Sequence, residues 1–261
     1  NKQKALWRVI DYERCKPSNQ TNQITLEVNN QVIQDPFLVA QYINEYFVSI
    51  AEKTLKEAGQ STKLNNAESV THNGVPDLIL RPTTTLEVTN TISSIQSKPS
   101  SGVDEISSIL LKHCKEELAP PLASVINQSF LQGCFPNALK LAKVYPKLKK
   151  NPSTLIDNYR PISLISTISK VIEKIVLSRL MNHLTTHNLL TTQQHGFLRG
   201  KSTASALISF TENILELLEE GNSTSAFFLD FSKAFDCLDH ALLLQKMEKM
   251  GVTGKTMKWM T

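Results

Sequence analysis

The chain has 261 residues, of which 41% are hydrophobic, and a net charge of +4, so it can build one sizeable core or two small ones and permits a nucleic-acid partner. Its four scattered cysteines form no Cys-x-x-Cys pair and its six histidines show no paired metal spacing, which argues against a zinc site or a disulfide framework and fits a reducing compartment. No apolar stretch approaches the roughly 20 residues that span a bilayer, and the polar N-terminus lacks a signal-peptide core, so we expect a soluble intracellular protein.

The first third of the chain predicts a short strand and then a long helix. Residues 24–28 alternate between apolar and polar side chains before Asn29-Asn30, which is typical of a short strand. Asp35-Pro36 is a good N-cap and first-turn pair, and Gly59 is a suitable end for the helix. The apolar stripe of this helix is predicted to consist of Phe37, Ala40, Ile43, Phe47, Ile50, Ala51, Thr54 and Ala58.

A change of composition predicts two domains. Residues 60–75 are polar and show no periodicity, so we expect a linker there. Residues 1–75 are then a helical N-terminal connector region, and residues 76–261 form the second domain.

Four more helices are predicted over residues 106–219 of the second domain. A pattern that begins at Leu86 breaks at the Ser-Gly-rich stretch before Gly102. Helices are then expected over 106–117 and 122–131, separated by Pro120-Pro121. Two further stripes, over 168–184 and 203–219, predict helices whose apolar sides form core, the second closing at Gly221.

A lysine run precedes the third of these helices. Residues 140–150 contain five lysines and no acidic residue. The plain interpretation is a solvated basic strand and turn. Because the run adjoins the sequence NYRPIS, we favour phosphate contact by Lys149 or Lys150.

The most informative stretch is SAFFLDFSKAFDCLD, residues 225–239. Residues 226–229 are a short apolar run, as expected of a buried strand, and Asp230 follows at its carboxyl end. From Ser232 the apolar residues take helical spacing, with Phe235 on the apolar face and Gly251 as the stop. A strand would thus place a carboxylate beside a helix.

Asp230 is of a type that phosphoryl transfer requires. Transfer onto a sugar hydroxyl needs carboxylates that hold two divalent ions, because the attacking and leaving oxygens both build negative charge. The alternative is that Asp230 is only an N-cap or turn residue, as aspartates at such junctions usually are.

Three collinear stretches resemble the reverse transcriptases of non-LTR (LINE-like, jockey-like) retrotransposons. These stretches are NYRPISL at 158–164, QHGFLRGKST at 194–203 and LDFSKAFDCLDH at 229–240, and weaker similarity begins near Leu86. The resemblance implies an α+β right-hand polymerase fold, with fingers and a partial palm preceded by a mainly helical N-terminal region.

The resemblance also implies roles for single residues. Asp230 resembles the metal-binding aspartate, with the backbone carbonyl of Phe231 as a second contact to the same ion and to the substrate. Phe235 resembles the aromatic steric gate that excludes a 2′-hydroxyl, although helix core is the ordinary role for such a residue. Arg160 resembles the fingers arginine that grips the triphosphate, a task that suits its planar, permanently charged guanidinium.

The middle motif implies contact with a nucleic-acid strand through Gly196, Phe197, Arg199 and Lys201. Flexible backbone, a stacking ring and cations suit such an approach. The family usually has arginine where Leu198 stands. A glycine-rich turn that caps the helix from Thr203 is the structural alternative, and the two are compatible. Asp236 is expected to orient or cap, and Asp239 to be solvated.

For the intact parent, the resemblance implies an RNA template, a DNA primer, deoxynucleoside triphosphates and Mg²⁺. It also allows a nuclear location. The family's second metal motif contains Asp-Asp, which this sequence lacks, so the chain reads as a truncated fragment that is inactive alone. A non-catalytic nucleic-acid-binding relic or domesticated module is the alternative, and a helical scaffold with an accidental motif is a third reading.

Overall fold

In the computed structural model, residues 24–57, 74–231 and 233–261 are described. They form a mixed helix and sheet protein, and none of their helices is both long and apolar enough to cross a membrane. The elements in chain order are β1 (Leu26–Val28), β2 (Gln31–Ile33), α1 (Pro36–Glu57), α2 (Thr85–Ser94), α3 (Ser108–His113), α4 (Lys115–Gln132), β3 (Ala142–Leu148), β4 (Tyr159–Ile165), α5 (Thr167–Thr186), α6 (Thr203–Glu219), α7 (His240–Lys249) and α8 (Gly254–Met260).

The chain divides into two compact units that interleave in sequence. Among the described residues, the first contains 24–53 together with Tyr145–Ile162, and the second contains 54–57, 74–144, 163–231 and 233–261. The predicted linker over 60–75 falls mostly in 58–73, outside the described residues, so a domain boundary there stays a prediction.

The first unit begins with a β-hairpin. β1 and β2 pair antiparallel, with Leu26 opposite Ile33. Asn29 and Asn30 form the two-residue turn at φ of 52° and 61°, which matches the twist of a hairpin and which asparagine tolerates better than most residues. The predicted strand before these asparagines is thereby confirmed.

Helix α1 begins where the sequence predicts. The Leu38 N–H donates to the Asp35 carboxylate at 2.9 Å, so Asp35 is the N-cap and Pro36 the first helical residue. The predicted stripe is partly wrong, because Phe37 is 76% exposed and Val39 is buried instead. The buried positions of α1 follow one face from Val39 onward, and that face packs on Leu26 and Tyr159. The buried residues of α1 are Val39, Ile43 and Ile50.

The second unit has a helical core built from α2, α4, α5 and α8. Each contributes fully or nearly fully buried apolar side chains, and Trp259 of α8 packs edge-on against Phe130 of α4. The predicted helix over 168–184 is confirmed as α5, whose buried stripe includes Val171, Ile172 and Ile175.

The predicted separation at Pro120-Pro121 is wrong. Both prolines lie inside α4, and the break falls earlier, at Cys114. Proline in a helix interior costs roughly 3 kcal/mol. Here Ala119, Ala123 and Ile126 are buried along the same helix, and packing of that face outweighs the lost backbone hydrogen bonds.

Helix α6 forms as predicted but buries nothing. It spans Thr203–Glu219, and Gly221 follows at φ 77°, as the sequence indicates. The expectation that its apolar side is core is wrong, since Leu207 is 65% exposed and Ile208 is 58% exposed. An amphipathic helix buries its apolar side only where another element covers it, and no described element covers this one.

Candidate nucleotide and nucleic-acid site

The basic run and the NYRPIS motif form a β-hairpin. β3 and β4 pair in a two-stranded sheet. The Lys149 N–H donates to the Asn158 carbonyl at 2.6 Å, so the two ends of the connection between the strands lie next to each other. Such a connection joins antiparallel strands, since parallel ones need a crossover. Counting back from this pair places Lys147 opposite Arg160 and Tyr145 opposite Ile162. The same register pairs the bounds of the two strands with each other.

The register explains why each strand tolerates a proline. Pro146 stands opposite Pro161, one step from Lys147 and Arg160. Because the Lys149 N–H donates to the carbonyl of Asn158 directly opposite, alternation along the strands places the proline pair at a non-hydrogen-bonded position. At such a position neither proline needs to donate a backbone hydrogen bond to the opposite strand, which proline cannot do.

Asn158 and Tyr159 anchor the connection between the strands. The Asn158 amide donates to the Pro152 carbonyl and the Tyr159 hydroxyl to the Ser153 carbonyl, both at 2.7 Å. Both side chains are buried, and burial raises the pKa of the Tyr159 hydroxyl. Because strand neighbours point to opposite faces, anchoring Tyr159 inward turns Arg160 outward.

Arg160, Lys149 and Lys150 are therefore presented to solvent. All three are exposed, and no side-chain hydrogen bond or ion pair holds them among the residues that the structure describes. The plain interpretation of a solvated basic strand and turn fits this finding. Phosphate contact fits equally, because an unpaired cation is available to a ligand.

The segment around Asp230 differs from its prediction. Residues 226–229 form no strand, and the expected burial is wrong, since Phe227 and Leu229 are both 89% exposed. A strand needs a neighbour for its backbone groups, and no described strand pairs with this segment. The ring of Phe228 contacts that of Phe210 on α6, with centroids 5.4 Å apart. Asp230 and Phe231 are exposed.

Phe235 lies in a turn, not on a helix. The predicted helix from Ser232 begins only at His240, because Asp239 accepts from the Leu242 N–H at 2.9 Å and serves as N-cap. The expectation that Asp239 is only solvated is incomplete, because it caps α7. The signal for the cap is an aspartate three residues before the backbone N–H that it accepts from. The helix-core reading of Phe235 is therefore excluded, since the ring is 77% exposed.

The structure brings Phe235 together with the middle motif. Its ring meets that of Phe197 edge to face, with centroids 5.9 Å apart and planes at 89°. Phe197 stands at φ 61°, a conformation rare for a side chain of this size. Both residues are candidates from the sequence, but their contact is not evident there because they lie 38 positions apart.

The rest of the middle motif caps α6. Ser202 and Ser205 form a reciprocal capping box, and the ring nitrogen Nδ1 of His195 lies 2.9 Å from the Ser205 hydroxyl. The predicted capping turn is confirmed, with Gly200 at φ 80°. Arg199 and Lys201 are exposed, as is Gly196, so strand contact by this motif stays a prediction.

The described residues do not by themselves fit a two-ion centre. No group of three or more His, Cys, Asp or Glu side chains is close enough to hold a metal among them. Asp230 offers one carboxylate and Phe231 one carbonyl, whereas a two-metal site needs further carboxylates. The described residues therefore support no reaction step through a metal.

Two supporting contacts were not predicted. The Ser166 hydroxyl donates to the Asp104 carboxylate at 2.5 Å and the Thr167 hydroxyl to the Ile106 carbonyl at 2.7 Å, which fixes the start of α5. A Cβ on Gly102 would lie 2.7 Å from the Ser166 backbone nitrogen, so only glycine fits. The Ser-Gly-rich stretch was the available signal, but its partner is distant in sequence.

Arg179 joins α5 to α2. Its guanidinium donates to both carboxylate oxygens of Glu87 at 2.9 Å and lies over the Phe130 ring. Burial alone would raise the pKa of Glu87. Hydrogen bonds from Arg179 and Thr83 outweigh it, together with the charge of Arg179, and hold that pKa below its usual value. This pair stabilises the scaffold and lies outside the predicted site.

Comparison with known proteins identifies the class. Residues 147–261 match the family described as "Reverse transcriptase (RNA-dependent DNA polymerase)". That range begins in β3 and includes all three motifs. Residues 147–261 of this chain are thus similar to reverse transcriptases across all three motifs.

Its relatives define the kind of reverse transcriptase. The chain is 30% identical over 174 residues to "Probable RNA-directed DNA polymerase from transposon BS" of Drosophila melanogaster, covering 66% of this chain and 19% of that protein. It is 28% identical over 199 residues to "RNA-directed DNA polymerase from mobile element jockey" of Drosophila funebris, covering 76% and 22%. The chain thus spans about a fifth of the length of these relatives, and its predicted kinship with non-LTR, jockey-like reverse transcriptases is confirmed.

Proposed function

We propose that the polypeptide to which this chain belongs is an RNA-directed DNA polymerase of a jockey-like retrotransposon. In it, this chain supplies the extension before the fingers, the fingers and the first part of the palm. The observation that carries the proposal is the collinear order of three motifs within a reverse transcriptase match over 147–261. The substrates would be deoxynucleoside triphosphates, paired to an RNA template and added to a DNA primer.

Asp230 is proposed as the catalytic carboxylate of this chain. Together with the Phe231 carbonyl, it would bind one Mg²⁺, which when bound stabilises negative charge on the reacting phosphate oxygens. The described residues contain no cluster of three or more His, Cys, Asp or Glu side chains that would complete such a site. The exposed side chain of Asp230, at the end of an apolar run, supports this role.

Nucleotide-binding roles are proposed separately for the β3–β4 hairpin and for Phe235. Arg160, Lys149 and Lys150 carry exposed charges without partners among the described residues, and such charges suit the triphosphate. Phe235 would exclude a 2′-hydroxyl as the steric gate. Its edge-to-face contact with Phe197 supports a fixed ring orientation.

The middle motif is proposed to contact the nucleic-acid strand. Its exposed cations, Arg199 and Lys201, flank the turn at Gly200, and Gly196 and Phe197 begin the same turn. Exposed cations beside an exposed ring are the ordinary means of binding a single strand.

The decisive experiment uses a polypeptide that carries this chain within the length of its relatives. Primer extension on an RNA template is compared between the wild type and Asp230→Asn. Removal of a metal-binding carboxylate is expected to abolish extension, whereas equal extension by both proteins would remove Asp230 from the mechanism. Phe235→Ala is expected to admit ribonucleotides, with Phe235→Tyr, which keeps the bulk, as the matched control.

A non-catalytic nucleic-acid-binding module is the second candidate. The observation that favours it is that the described residues contain no group of three or more His, Cys, Asp or Glu side chains that could hold a metal ion. It predicts RNA binding that falls steeply with salt and no extension by the longer wild-type polypeptide. Extension by that polypeptide would exclude this candidate.

A further inference from the structure

One face of the β3–β4 hairpin has a composition that the fold does not explain. Side chains alternate along a strand, and residues directly opposite share a face. Tyr145 and Lys147 of β3 therefore lie on the same face as Ile162 and Arg160 of β4. We call these four residues the Tyr145 face.

The two tyrosines of the hairpin contrast sharply. Tyr159, on the other face, is buried and donates to the Ser153 carbonyl. Tyr145 is 57% exposed, and its ring and hydroxyl have no partner among the described residues. A buried tyrosine that packs a core needs no further explanation, whereas an exposed ring in the middle of a strand contributes little to folding.

Charge indicates what such a ring can bind. Lys147 and Arg160 stand opposite each other on the Tyr145 face, both are exposed, and neither forms an ion pair within the described chain. The two strands contain no acidic residue. A flat aromatic ring beside two unpaired cations is complementary to a nucleobase and its neighbouring phosphates.

We propose that the Tyr145 face binds single-stranded RNA, with one base stacked on the Tyr145 ring and an adjoining phosphate held by Lys147. A duplex fits this face poorly, because its bases are already stacked and paired and so cannot lie on a protein ring. The inference deepens the proposed function, on which it rests for the choice of RNA and for the idea that this strand is the template. The binding of a single strand as such is argued from the exposed Tyr145 ring and the unpaired cations beside it.

The test uses the 261-residue chain and a 5′-labelled single-stranded RNA of about 12 nucleotides, within the usual site size of such proteins. Fluorescence anisotropy gives Kd for the wild type, Tyr145→Ala, Tyr145→Phe and Leu148→Ala. Leu148 is the matched control, since it is 38% exposed on the same strand and points to the other face. Loss of one stacked base is expected to weaken binding by about 5- to 150-fold in Tyr145→Ala.

Tyr145→Phe keeps the ring and is expected to bind within about twofold of wild type. Lys147→Gln is expected to reduce the slope of log Kd against log salt by about 0.7, the contribution of one phosphate contact on a single strand. Equal Kd values for Tyr145→Ala and Leu148→Ala would overturn the proposal, as would equal affinity for duplex RNA or no binding by the wild type.

Polymerase activity is a separate readout. If binding depends on Tyr145 while the longer polypeptide fails to extend a primer, the proposed function fails and the strand-binding face stands. If extension occurs and Tyr145→Ala changes neither Kd nor extension, the proposed function stands and this inference fails.

Discussion

Removal of the Arg179 guanidinium should destabilise the second unit by a measurable amount. Arg179→Met keeps the aliphatic stem but removes two charged hydrogen bonds to Glu87 and those to the Arg81, Pro82 and Ile175 carbonyls. Breaking a fully buried ion pair costs about 3–5 kcal/mol. Since the two side chains are 15% and 37% exposed, solvent screens part of this, and we expect about 2 kcal/mol.

Urea unfolding at pH 7 measures this loss, with a double-mutant cycle through Glu87→Gln to isolate the pairwise energy. Glu116→Gln is the matched control, because the Lys115–Glu116 pair is 3.6 Å long with side chains 35% and 69% exposed, and should contribute less than about 0.5 kcal/mol. If Arg179→Met shifts the free energy of unfolding no more than Glu116→Gln does, the reasoning is refuted.

The pH dependence of the same pair has a defined sign. The pKa of Glu87 is held below its ordinary value of 4.5 in the folded chain. Its stabilising contribution is therefore fully present above about pH 4.5 and declines as the pH falls through the lower folded value. The difference between wild type and Arg179→Met should shrink in acid, and a difference that grows there would contradict the assignment.

Two further substitutions test local geometry. Gly102→Ala places a Cβ 2.7 Å from the Ser166 backbone nitrogen, so it should cost about 1–3 kcal/mol in urea unfolding, whereas Gly196→Ala, which meets nothing within 4 Å, should cost less. Asp239→Ala removes the N-cap of α7 and should cost about 1 kcal/mol of stability, with Asp239→Asn retaining most of it; an unchanged midpoint for Asp239→Ala would contradict the capping role.

Features that depend on nearby residues could be predicted from the sequence. Asp35-Pro36 predicts the start of α1, because a cap bonds only to residues within one helical turn. The apolar stripe over 168–184 predicts α5, because the helical spacing of apolar residues is the same whichever element packs against them. The three motifs likewise predicted the family that residues 147–261 match, since each motif is a contiguous string.

Features that depend on distant partners could not be predicted. Residues 226–229 have the composition of a buried strand, yet a strand also requires a neighbour, and sequence periodicity does not report whether one is present. The close approach of Gly102 to Ser166 spans 64 positions, and the contact of Phe197 with Phe235 spans 38. Pro120-Pro121 shows the same limit. Prolines locally disfavour a helix, but the packing of the buried face of α4 against distant residues outweighs that local preference.

The exposed apolar segment and α6 lead to a final prediction. Phe227, Leu229 and Phe231 are each more than three-quarters exposed, next to a helix whose apolar side is also uncovered. Exposed apolar area of this kind marks a surface that another element covers. Because the chain spans about a fifth of its relatives, we expect that element to lie in the remainder of the parent polypeptide.

Hydrogen exchange distinguishes the two states of this segment. Amides of 225–231 have no strand partner here and should exchange rapidly in the 261-residue chain. In a polypeptide of the relatives' length, the same amides should be protected if a neighbouring strand pairs with them, while those of the β1–β2 hairpin should exchange equally in both. Rapid exchange of 225–231 in both polypeptides would mean that the segment carrying Asp230 never joins a sheet, and the palm assignment would then be wrong.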